Sequence, residues 1–534
     1  MGIETLMGDE AIALGAIHAG LSAAFAYPGT PSTEIMEYYQ DYVSRRGGIV
    51  AQWCSNEKTA YESALGASYA GRRTTVSMKH VGLNVAADPF INSALVKIKG
   101  GLVVIVADDP GMHSSQDEQD SRWVAEFARV PCFEPADQQE AYDMTRAAFE
   151  LSERVSSPVL LRITTRLAHS RAAVKLAEPK GQNPVSKVED SKSWLLMPAV
   201  ASRLWKGLVG KYEALRAESE AAALIEPGSK ELGVITTGVA LLYYRENLPD
   251  MKDRPSHLHI GRYPLPYAKI REFASGVKKV VVLEDGYPFV ERMLRGVASA
   301  AGSAGSTGPA IVGKESGEVP VTGELDPDNI RPALGLPPRE GQACRDLVIP
   351  GRPPQLCQGC PHGDSLAFLK EALEDYPLHT VNSDIGCYTL GALPPYEAVE
   401  TVVEMGASLG MARGAAEAGL TPAVGVIGDS TFFHSGIPNL VDAVSHNTNV
   451  KIMIVDNGTT AMTGAQPTIM SSEKLKAIAL AVGVPPEHVH VVRAHRADHA
   501  ANVEMMRREL AYEGVSVVIA FRECLEYLKK ARKA

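Results

Sequence analysis

Short apolar, β-rich runs alternate with helical stretches along most of the chain, and this alternation constrains the fold more than any other feature. In the N-terminal part, the runs predicted as buried strands are 24–29, 74–80, 101–110 and 157–166. Stretches with apolar residues at helical spacing lie between them. Alternation of this kind predicts a parallel sheet covered by helices on both faces. We therefore expect an α/β protein built from doubly wound parallel sheets.

The alternation occurs in three blocks, which are separated by stretches of different composition. A polar stretch at 179–193 ends the first block, and a proline-rich segment at 326–354 ends the second. A chain of 534 residues also exceeds what one core holds, at about 100–200 residues per domain. We predict three domains and one linker. The domains cover 1–185, 186–325 and 355–534, and the linker is 326–354.

The charge balance argues against two classes of partner. The chain carries 53 basic and 63 acidic residues, a net charge of −10, without a basic block for nucleic acid. No uncharged apolar run reaches the ~20 residues of a membrane span. Glu4, Asp9 and Glu10 stand where a signal peptide would carry positive charge. We expect a cytoplasmic protein that binds neither nucleic acid nor a membrane.

Polar residues follow two predicted strands of the third block. Gly428, Asp429 and Ser430 come after one apolar run, Asp456 and Asn457 come after the next, and 25 residues separate Ser430 from Asp456. Both groups should therefore lie at the carboxyl edge of adjacent strands, where open parallel sheets bind ligands. A carboxylate with a carboxamide oxygen suits a hard divalent ion held against phosphate. Alternatively, Asp429 caps a helix and Asn457 closes a turn.

This pattern resembles the thiamine diphosphate motif, Gly-Asp-Gly followed after a similar interval by Asn-Asn. Ser430 stands in place of the last glycine, and Asp456 in place of the first asparagine. The resemblance implies that Gly428, Asp429, Ser430 and Asn457 bind the cofactor, with Asp429 and Asn457 as Mg²⁺ ligands. The two departures leave the proposed Mg²⁺ ligands in place.

Thiamine enzymes also require a glutamate that faces the aminopyrimidine ring of the cofactor. Glu57 stands at the start of a predicted helix, followed by Ala60, Ala64 and Gly66. A carboxyl group that shares a proton with ring N1′ favours the imino form, which removes the thiazolium C2 proton. The small side chains are expected to let the ring and a neighbouring subunit approach closely. Alternatively, Glu57 is an exposed first-turn glutamate stabilised by the helix dipole.

The chain has seven cysteines, and an odd number argues against a disulfide framework. Cys357 and Cys360 form a C-x2-C pair, Cys387 follows after 26 residues, and Cys524 ends the last predicted strand. Four thiolates near a cofactor edge suit a 4Fe-4S cluster. Structural zinc, with His362 as a further ligand, is one alternative, and a buried inert Cys524 is another. No ligand role is predicted for Cys54, Cys132 and Cys344.

A series of segments carries a family resemblance along nearly the whole chain. They are MGDEAIALGAIHAG, AYPGTPSTEI, NEKTAYESALGASYAG, MKHVGLNVAADP, DDPGMHSSQDEQDSR, SPVLLRITTR, CQGCPH, DIGCYTLG and GDS…DNGTTAMTGAQP. In number and order they resemble the large subunit of indolepyruvate ferredoxin oxidoreductase. The resemblance implies pyrimidine-binding, transketolase C-terminal-like and diphosphate-binding domains. It also implies a homodimer or a heterotetramer with a smaller second subunit.

The activity implied by the resemblance is oxidative decarboxylation of an aryl 2-oxoacid to an acyl-CoA. Coenzyme A is the co-substrate, and electrons leave through one 4Fe-4S cluster to ferredoxin, another acceptor or the partner subunit. The family's large subunit continues into a ferredoxin-like tail, whereas this sequence stops ten residues after Cys524. We therefore expect any further electron relay to come from another subunit. The alternatives are a non-oxidative thiamine-dependent decarboxylase or ligase, and a zinc-stabilised scaffold or inactive partner subunit that binds no thiamine.

The resemblance also implies roles for residues in two loops. Thr30 would lie near the substrate carboxylate, although a turn before a helix starting at Thr33 explains the same residues. The loop 108–122, with His113, Ser114, Ser115 and Gln116, would close over the substrate, with mere solvation as the alternative. The backbone of Thr459 would complete the Mg²⁺ site. The residues that would border the cofactor are Thr463, Gly464 and Gln466.

Overall fold

The computed structural model describes residues 2–301, 308–341 and 354–531. The chain folds as two compact units, Met1–Ala343 and Cys344–Ala534. The first unit contains two large sheets and the second contains one. Over the part of the chain described, no helix has both the length and the apolar character needed to cross a membrane.

The largest sheet of the first unit has seven strands, which are parallel except at the edge formed by Arg262–Tyr263. Its central strands are buried along their whole length, as expected where helices cover both faces. Strand order reverses on either side of the early strands, so the sheet is doubly wound. In spatial order the strands are Arg262–Tyr263, Cys132–Phe133, Val159–Thr164, Leu102–Asp108, Thr74–Lys79, Ala23–Ala26 and Val50–Trp53.

The second sheet of the first unit has five strands, of which only Ile225–Glu226 runs antiparallel to its neighbour. In order the strands are Ala310–Val312, Lys279–Leu283, Ser229–Thr237, Pro255–Ile260 and Ile225–Glu226. A separate antiparallel pair joins Ile3–Met7 to Arg171–Lys175. The α-helices of this unit are Gly8–His18, Thr33–Arg46, Glu57–Tyr69, His80–Val85, Ala87–Ser93, Ser121–Ala128, Gln138–Val155, Thr165–His169, Pro198–Ala222, Ala240–Asn247, Tyr267–Ser275 and Phe289–Ala301.

The second unit is built on a six-stranded sheet in which every pairing is parallel. In order its strands are Thr401–Val402, Thr380–Ser383, Ala423–Gly428, Val450–Asp456, Ser516–Phe521 and Val489–Arg493. A small antiparallel ribbon pairs Thr459–Thr460 with Gln466–Pro467. The α-helices of this unit are Pro361–Ala372, Ala407–Glu417, Asp429–Thr431, Ile437–Ser445, Ser472–Val482, His499–Ala511 and Leu525–Ala531. A π-helical turn, Phe432–Gly436, joins the third and fourth of these helices.

The α/β class with doubly wound parallel sheets is confirmed. The three-domain division stays a prediction. Of the predicted linker, 326–341 packs on the first unit through the buried Ile330 and Leu334, and 342–353 lies outside the described residues.

A buried ion cluster lies inside the first unit. The Arg162 guanidinium is fully buried, and its Nε donates to Asp108 Oδ2 at 2.6 Å. Its Nη1 pairs with Glu134, and its Nη2 donates to the Asp285 carbonyl oxygen at 3.1 Å. Asp285 follows a strand of the second sheet, so Arg162 ties the two sheets of the unit together.

Replacing Arg162 by alanine should lower the free energy of unfolding by about 3–5 kcal/mol, because Asp108 would remain buried without its cation. Urea denaturation followed by circular dichroism measures the change. The matched control is Arg154→Ala, which breaks an exposed pair with Glu218 and should cost about 0–1 kcal/mol. Equal effects for the two variants would contradict a stabilising role for the buried cluster.

Candidate active site

The polar residues predicted at the sheet edge of the second unit do lie together. The strands Ala423–Gly428 and Val450–Asp456 pair in parallel, with Gly428 opposite Val455. Asp429 and Asn457 follow their carboxyl ends, and both side chains are buried. The Gly458 backbone N–H donates to Asp429 Oδ2 at 3.1 Å, which links the two strand ends directly.

Asp456 adds a second buried carboxylate to this edge. Burial, and then the neighbouring Asp456, raises the pKa of Asp429 well above its usual range. Burial likewise raises the pKa of Asp456. Two adjacent buried carboxyl groups carry negative charge favourably only beside a cation. Together with the Asn457 amide, this donor set fits a hard divalent ion such as Mg²⁺.

The segment after Asn457 folds back over the same edge. The Thr459 N–H donates to Asn457 Oδ1 at 3.1 Å, and the Thr459 hydroxyl donates to the Gln466 carbonyl oxygen at 2.7 Å. Thr463 and Gly464 occupy the turn of this ribbon, where the Thr463 hydroxyl donates to Gln466 Oε1 at 2.6 Å. The hydroxyls of Thr460 and Ser430 lie 3.0 Å apart. The ribbon that carries Thr463, Gly464 and Gln466 is therefore joined to Asn457 through Thr459 and to Ser430 through Thr460.

His362 contacts this group, although the sequence suggested it only as a possible zinc ligand. The Asn457 amide Nδ2 donates to His362 Nε2 at 3.0 Å. Burial lowers the pKa of His362 to about 4, so the ring is neutral near pH 7 and can accept this hydrogen bond. The bond fixes the Asn457 amide with its oxygen directed away from the histidine. The His362 ring also packs edge to face against Tyr388, with centroids 5.8 Å apart.

The four cysteines of interest come together at the same end of the second unit. Burial, and then the nearby thiols of Cys360 and Cys524, raises the pKa of Cys387 to about 12. Burial, with Cys357 and Cys524 as neighbours, raises the pKa of Cys360. The Cys524 backbone N–H donates to the Asn457 carbonyl oxygen at 3.1 Å. These four cysteines, called the thiol group below, are therefore connected to the candidate Mg²⁺ site through Asn457.

A zinc site and a 4Fe-4S cluster require different distances between the sulfur atoms of their cysteine ligands. Zinc bonds to sulfur at about 2.3 Å in a tetrahedron, which places its thiolates roughly 3.8 Å apart. Within the described ranges, no three of the four sulfurs lie within 4.8 Å of one another. A cubane cluster needs a wider arrangement, because each thiolate binds a different iron. Cys54 is half-buried, Cys132 is buried, and Cys344 lies outside the described residues.

Glu57 lies in the first unit as the first residue of the helix Glu57–Tyr69. Asn56 caps this helix, since its Oδ1 accepts the Thr59 N–H at 2.8 Å. The Glu57 carboxyl is buried against Gly82, where a Cβ would lie 2.5 Å from Glu57 Oε1. The alternative of an exposed first-turn glutamate is therefore wrong.

The expected small-residue face of this helix is also wrong. Ala60 and Ala64 are buried in the core of their own unit, whereas Gly66 is exposed. Residues at +3 and +7 share one side of a helix, but +9 lies on another, because each residue turns the helix by about 100°. These three residues therefore do not form one face for a cofactor ring and a neighbouring subunit.

Thr30 and part of the loop 108–122 lie close together in the first unit. The Ser114 hydroxyl donates to the Thr30 carbonyl oxygen at 3.3 Å, and Lys79 Nζ donates to the Ser114 carbonyl oxygen at 2.8 Å. Asp109 holds the loop by accepting the Ser114 N–H at 2.8 Å and the Ser115 hydroxyl at 2.6 Å. Lys79 was not predicted, since a lysine at the end of a strand carries no distinctive pattern. Burial lowers its pKa to about 8.

His113 and Gln116 belong to the same loop but are exposed. His113 Nε2 lies 3.4 Å from Glu324 Oε2, and Arg166 Nη2 lies 2.6 Å from the same oxygen. The catalytic role expected of His113 stays a prediction.

Two family models match the chain. Residues 14–199 match "Pyruvate flavodoxin/ferredoxin oxidoreductase, thiamine diP-bdg". Residues 384–519 match "Thiamine pyrophosphate enzyme, C-terminal TPP binding domain". The first model contains Thr30, Glu57 and His113, and the second contains Asp429, Asn457 and Cys387.

Whole-chain relatives are also similar. Indolepyruvate oxidoreductase subunit IorA of Archaeoglobus fulgidus is 37% identical, over 99% of this chain and 87% of the relative. The subunit of the same name from Methanothermobacter thermautotrophicus is 38% identical, over 97% and 86%. A solved 2-oxoglutarate:ferredoxin oxidoreductase from Magnetococcus marinus covers 58% of this chain and 62% of its own, at 19% identity and a TM-score of 0.46. That structural likeness is too weak to bear on function.

Proposed function

Because the chain belongs to the IorA family of indolepyruvate oxidoreductase subunits, we propose that it oxidatively decarboxylates an aryl-pyruvate type of 2-oxoacid. Thiamine diphosphate and Mg²⁺ are the cofactors, and the acyl group passes to coenzyme A. Electrons leave through a 4Fe-4S cluster to ferredoxin or to a smaller second subunit. The observation that supports this most is the pair of contacts at 457–458. The Gly458 N–H donates to Asp429 Oδ2, and the Asn457 carbonyl oxygen accepts the backbone N–H of Cys524.

In this proposal the second unit binds the metal and the diphosphate. Asp429, Asn457 and the backbone of Thr459 hold Mg²⁺, and the buried carboxyl pair of Asp429 and Asp456 supplies the negative charge that a cation offsets. Neutral His362 accepts a hydrogen bond from the Asn457 amide nitrogen, so the amide oxygen, which also accepts the Thr459 N–H, is directed away from the histidine. The residues that border the diphosphate are Gly428, Ser430, Thr463 and Gly464.

The first unit provides the groups for proton transfer and substrate binding. Thiamine diphosphate, when bound, supplies a carbon that bonds to the 2-oxo carbon and takes up the electron pair released with CO₂. Glu57 holds a proton at its carboxyl group and exchanges it with ring nitrogen N1′. The Thr30 hydroxyl binds the substrate carboxylate, and His113 lies in the loop that covers the substrate. Lys79 fixes this loop through the Ser114 carbonyl oxygen.

The assembly is proposed to work in the cytoplasm as a homodimer or as a heterotetramer with the smaller subunit. Its test uses the full chain, purified anaerobically and mixed with that subunit, thiamine diphosphate, Mg²⁺, coenzyme A and methyl viologen. Indolepyruvate should reduce the viologen, and omission of any component should abolish the reduction. Release of CO₂ and an aldehyde without viologen reduction would contradict the oxidative reaction and indicate a decarboxylase.

Removing the Asp429 carboxylate should abolish the metal-dependent binding of thiamine diphosphate. For Asp429→Ala we expect at least about a hundredfold weaker binding, since losing even a supporting residue of a metal site typically costs 10–100-fold. Calorimetry with thiamine diphosphate and Mg²⁺ measures the affinity. Asp442→Ala is the matched control. Asp442 is exposed on the helix Ile437–Ser445 and pairs with Arg413. Unchanged binding by Asp429→Ala would exclude Asp429 as a ligand.

A further inference from the structure

Three potential metal ligands converge at a place in the first unit that the proposed function does not use. They are Asp9, Glu34 and His169, and one ligand atom from each lies within 4.8 Å of the other two. Each comes from a different helix, namely Gly8–His18, Thr33–Arg46 and Thr165–His169. His169 Nε2 lies 3.6 Å from Glu34 Oε1.

Asp9 is the residue of this group that most requires a partner. Its side chain is 0% exposed, and neither carboxylate oxygen has a hydrogen-bond partner within the described ranges. The Glu34 Oε2 atom is also buried without one. A buried carboxylate without a hydrogen bond or a cation is strongly destabilising. Asp9 and Glu34 together therefore hold three buried oxygen atoms that have no hydrogen-bond partner among the described residues.

The backbone around these residues keeps them close. A Cβ at Gly8 would overlap the carbonyl oxygen of Leu167, so the helix of Asp9 lies directly against the helix of His169. The contact needs a residue without a side chain at position 8, and glycine is the residue present. The proximity of Asp9 to His169 is therefore built into the packing of the two helices.

We propose that Asp9, Glu34 and His169 bind a divalent first-row transition metal ion. Two carboxylates and a neutral imidazole carry a charge of −2, which such an ion neutralises. A mixed set of oxygen and imidazole nitrogen ligands suits Mn²⁺, Fe²⁺ or Zn²⁺. Glu34 and His169 are each about one-third exposed, which leaves the outer coordination positions open to water.

The site would brace the turn that contains Thr30. Glu34 lies in the first turn of the helix Thr33–Arg46, and the Thr33 hydroxyl accepts the Gly29 N–H at 3.1 Å. A metal ion bound by Glu34 would therefore hold the start of this helix against the other two. Asp9, Glu34 and His169 are positioning residues in this proposal, and the proposal does not depend on the reaction catalysed.

The competing arrangement needs no metal ion. Burial, and then the charge of Glu34, raises the pKa of Asp9 well above its usual range, so Asp9 would carry a proton. Glu34 and His169 would then form a simple ion pair, in which the neighbouring Glu34 carboxylate raises the pKa of His169. Direct metal binding distinguishes the two arrangements.

The test is a titration of the chelator-treated full chain with Mn²⁺ in the absence of thiamine diphosphate, followed by the EPR signal of free Mn²⁺. The wild type should bind a Mn²⁺ ion at Asp9, Glu34 and His169, and Asp429→Ala should bind it as well. Asp9→Asn should bind this ion at least tenfold more weakly. Asparagine has the size of aspartate without its charge, so this variant should fold. Mn²⁺ should also raise the midpoint of thermal unfolding of the wild type but not of Asp9→Asn.

A spectroscopic measurement identifies the imidazole independently. Pulsed EPR of the bound Mn²⁺ should show a nitrogen coupling that disappears in His169→Gln, a change at a partly exposed position. Identical Mn²⁺ isotherms for the wild type and Asp9→Asn would overturn the proposal. A bound Mn²⁺ ion that shows no nitrogen coupling would also overturn the proposal, because it would indicate binding at the sheet edge of the second unit instead. Either result would leave the proposed oxidoreductase reaction unaffected.

Discussion

Glu57→Gln is expected to lower the rate of 2-oxoacid turnover by about a hundred- to ten-thousandfold, the range typical of general acid–base groups. Thiamine diphosphate should still bind with nearly unchanged affinity, because the amide fills the same volume beside Gly82. The amide cannot exchange a proton with the ring nitrogen N1′, so binding would be kept while activation is lost. The effect should therefore fall on kcat rather than on KM for the substrate.

Viologen reduction measures kcat, and calorimetry with thiamine diphosphate and Mg²⁺ measures binding. The matched control is Glu62→Gln in the same helix, where the glutamate is exposed and pairs with Lys58. This change should leave kcat within about twofold, since surface substitutions of this kind usually alter little. Undiminished activity of Glu57→Gln would remove Glu57 from the mechanism. Loss of cofactor binding in Glu57→Gln would instead indicate a binding role alone.

The second large effect is expected at the thiol group. Protein purified anaerobically should contain about four irons per chain, and Cys524→Ala should reduce this to less than one. Cys524 is the informative choice because a zinc site made of Cys357, Cys360, Cys387 and His362 would not need it. Cys524 is also buried, and its backbone N–H donates directly to the carbonyl oxygen of Asn457, a proposed Mg²⁺ ligand.

Iron, zinc and acid-labile sulfide analysis of the same preparations distinguishes the two metals. Cys54→Ala is the matched control, since Cys54 is a half-buried cysteine of the first unit without a proposed ligand role. His362→Gln should keep its iron, because the His362 Nε2 is already bonded to Asn457. Colourless, iron-free protein from the wild type, or one zinc ion retained by Cys524→Ala, would rule out the 4Fe-4S cluster.

The strands were predictable because parallel strands covered on both faces are continuous apolar runs. The same runs located Asp429 and Asn457, since polar residues directly after such strands must meet at one sheet edge. The predicted strand 24–29 is shorter in the structure, ending at Ala26, before the proline at 28. The strand Val50–Trp53 was not predicted. It lies half-exposed at a sheet edge, so its four residues do not form an apolar run.

Side-chain partners that are distant in the sequence could not be predicted in the same way. His362 and Asn457 are 95 residues apart, and no local pattern connects them. His169 lies far from Asp9 in the sequence. The antiparallel pairing of Ile3–Met7 with Arg171–Lys175 and the packing at Gly8 bring the two together. The partners of Arg162 likewise come from different strands. Such contacts depend on tertiary packing, which periodicity and spacing do not encode.

Asn457 connects the two halves of the site in the second unit, through its carbonyl oxygen to Cys524 and through its amide to His362. His362 follows Cys360 by two positions, so both bonds lead back to the thiol group. If both locations are occupied as proposed, we expect binding at one to favour binding at the other, and linkage would make this effect equal in both directions. Maturation of the enzyme in the cell should therefore be cooperative. Chains that have received their iron and sulfide would retain the vitamin cofactor best, and incompletely assembled chains would release it.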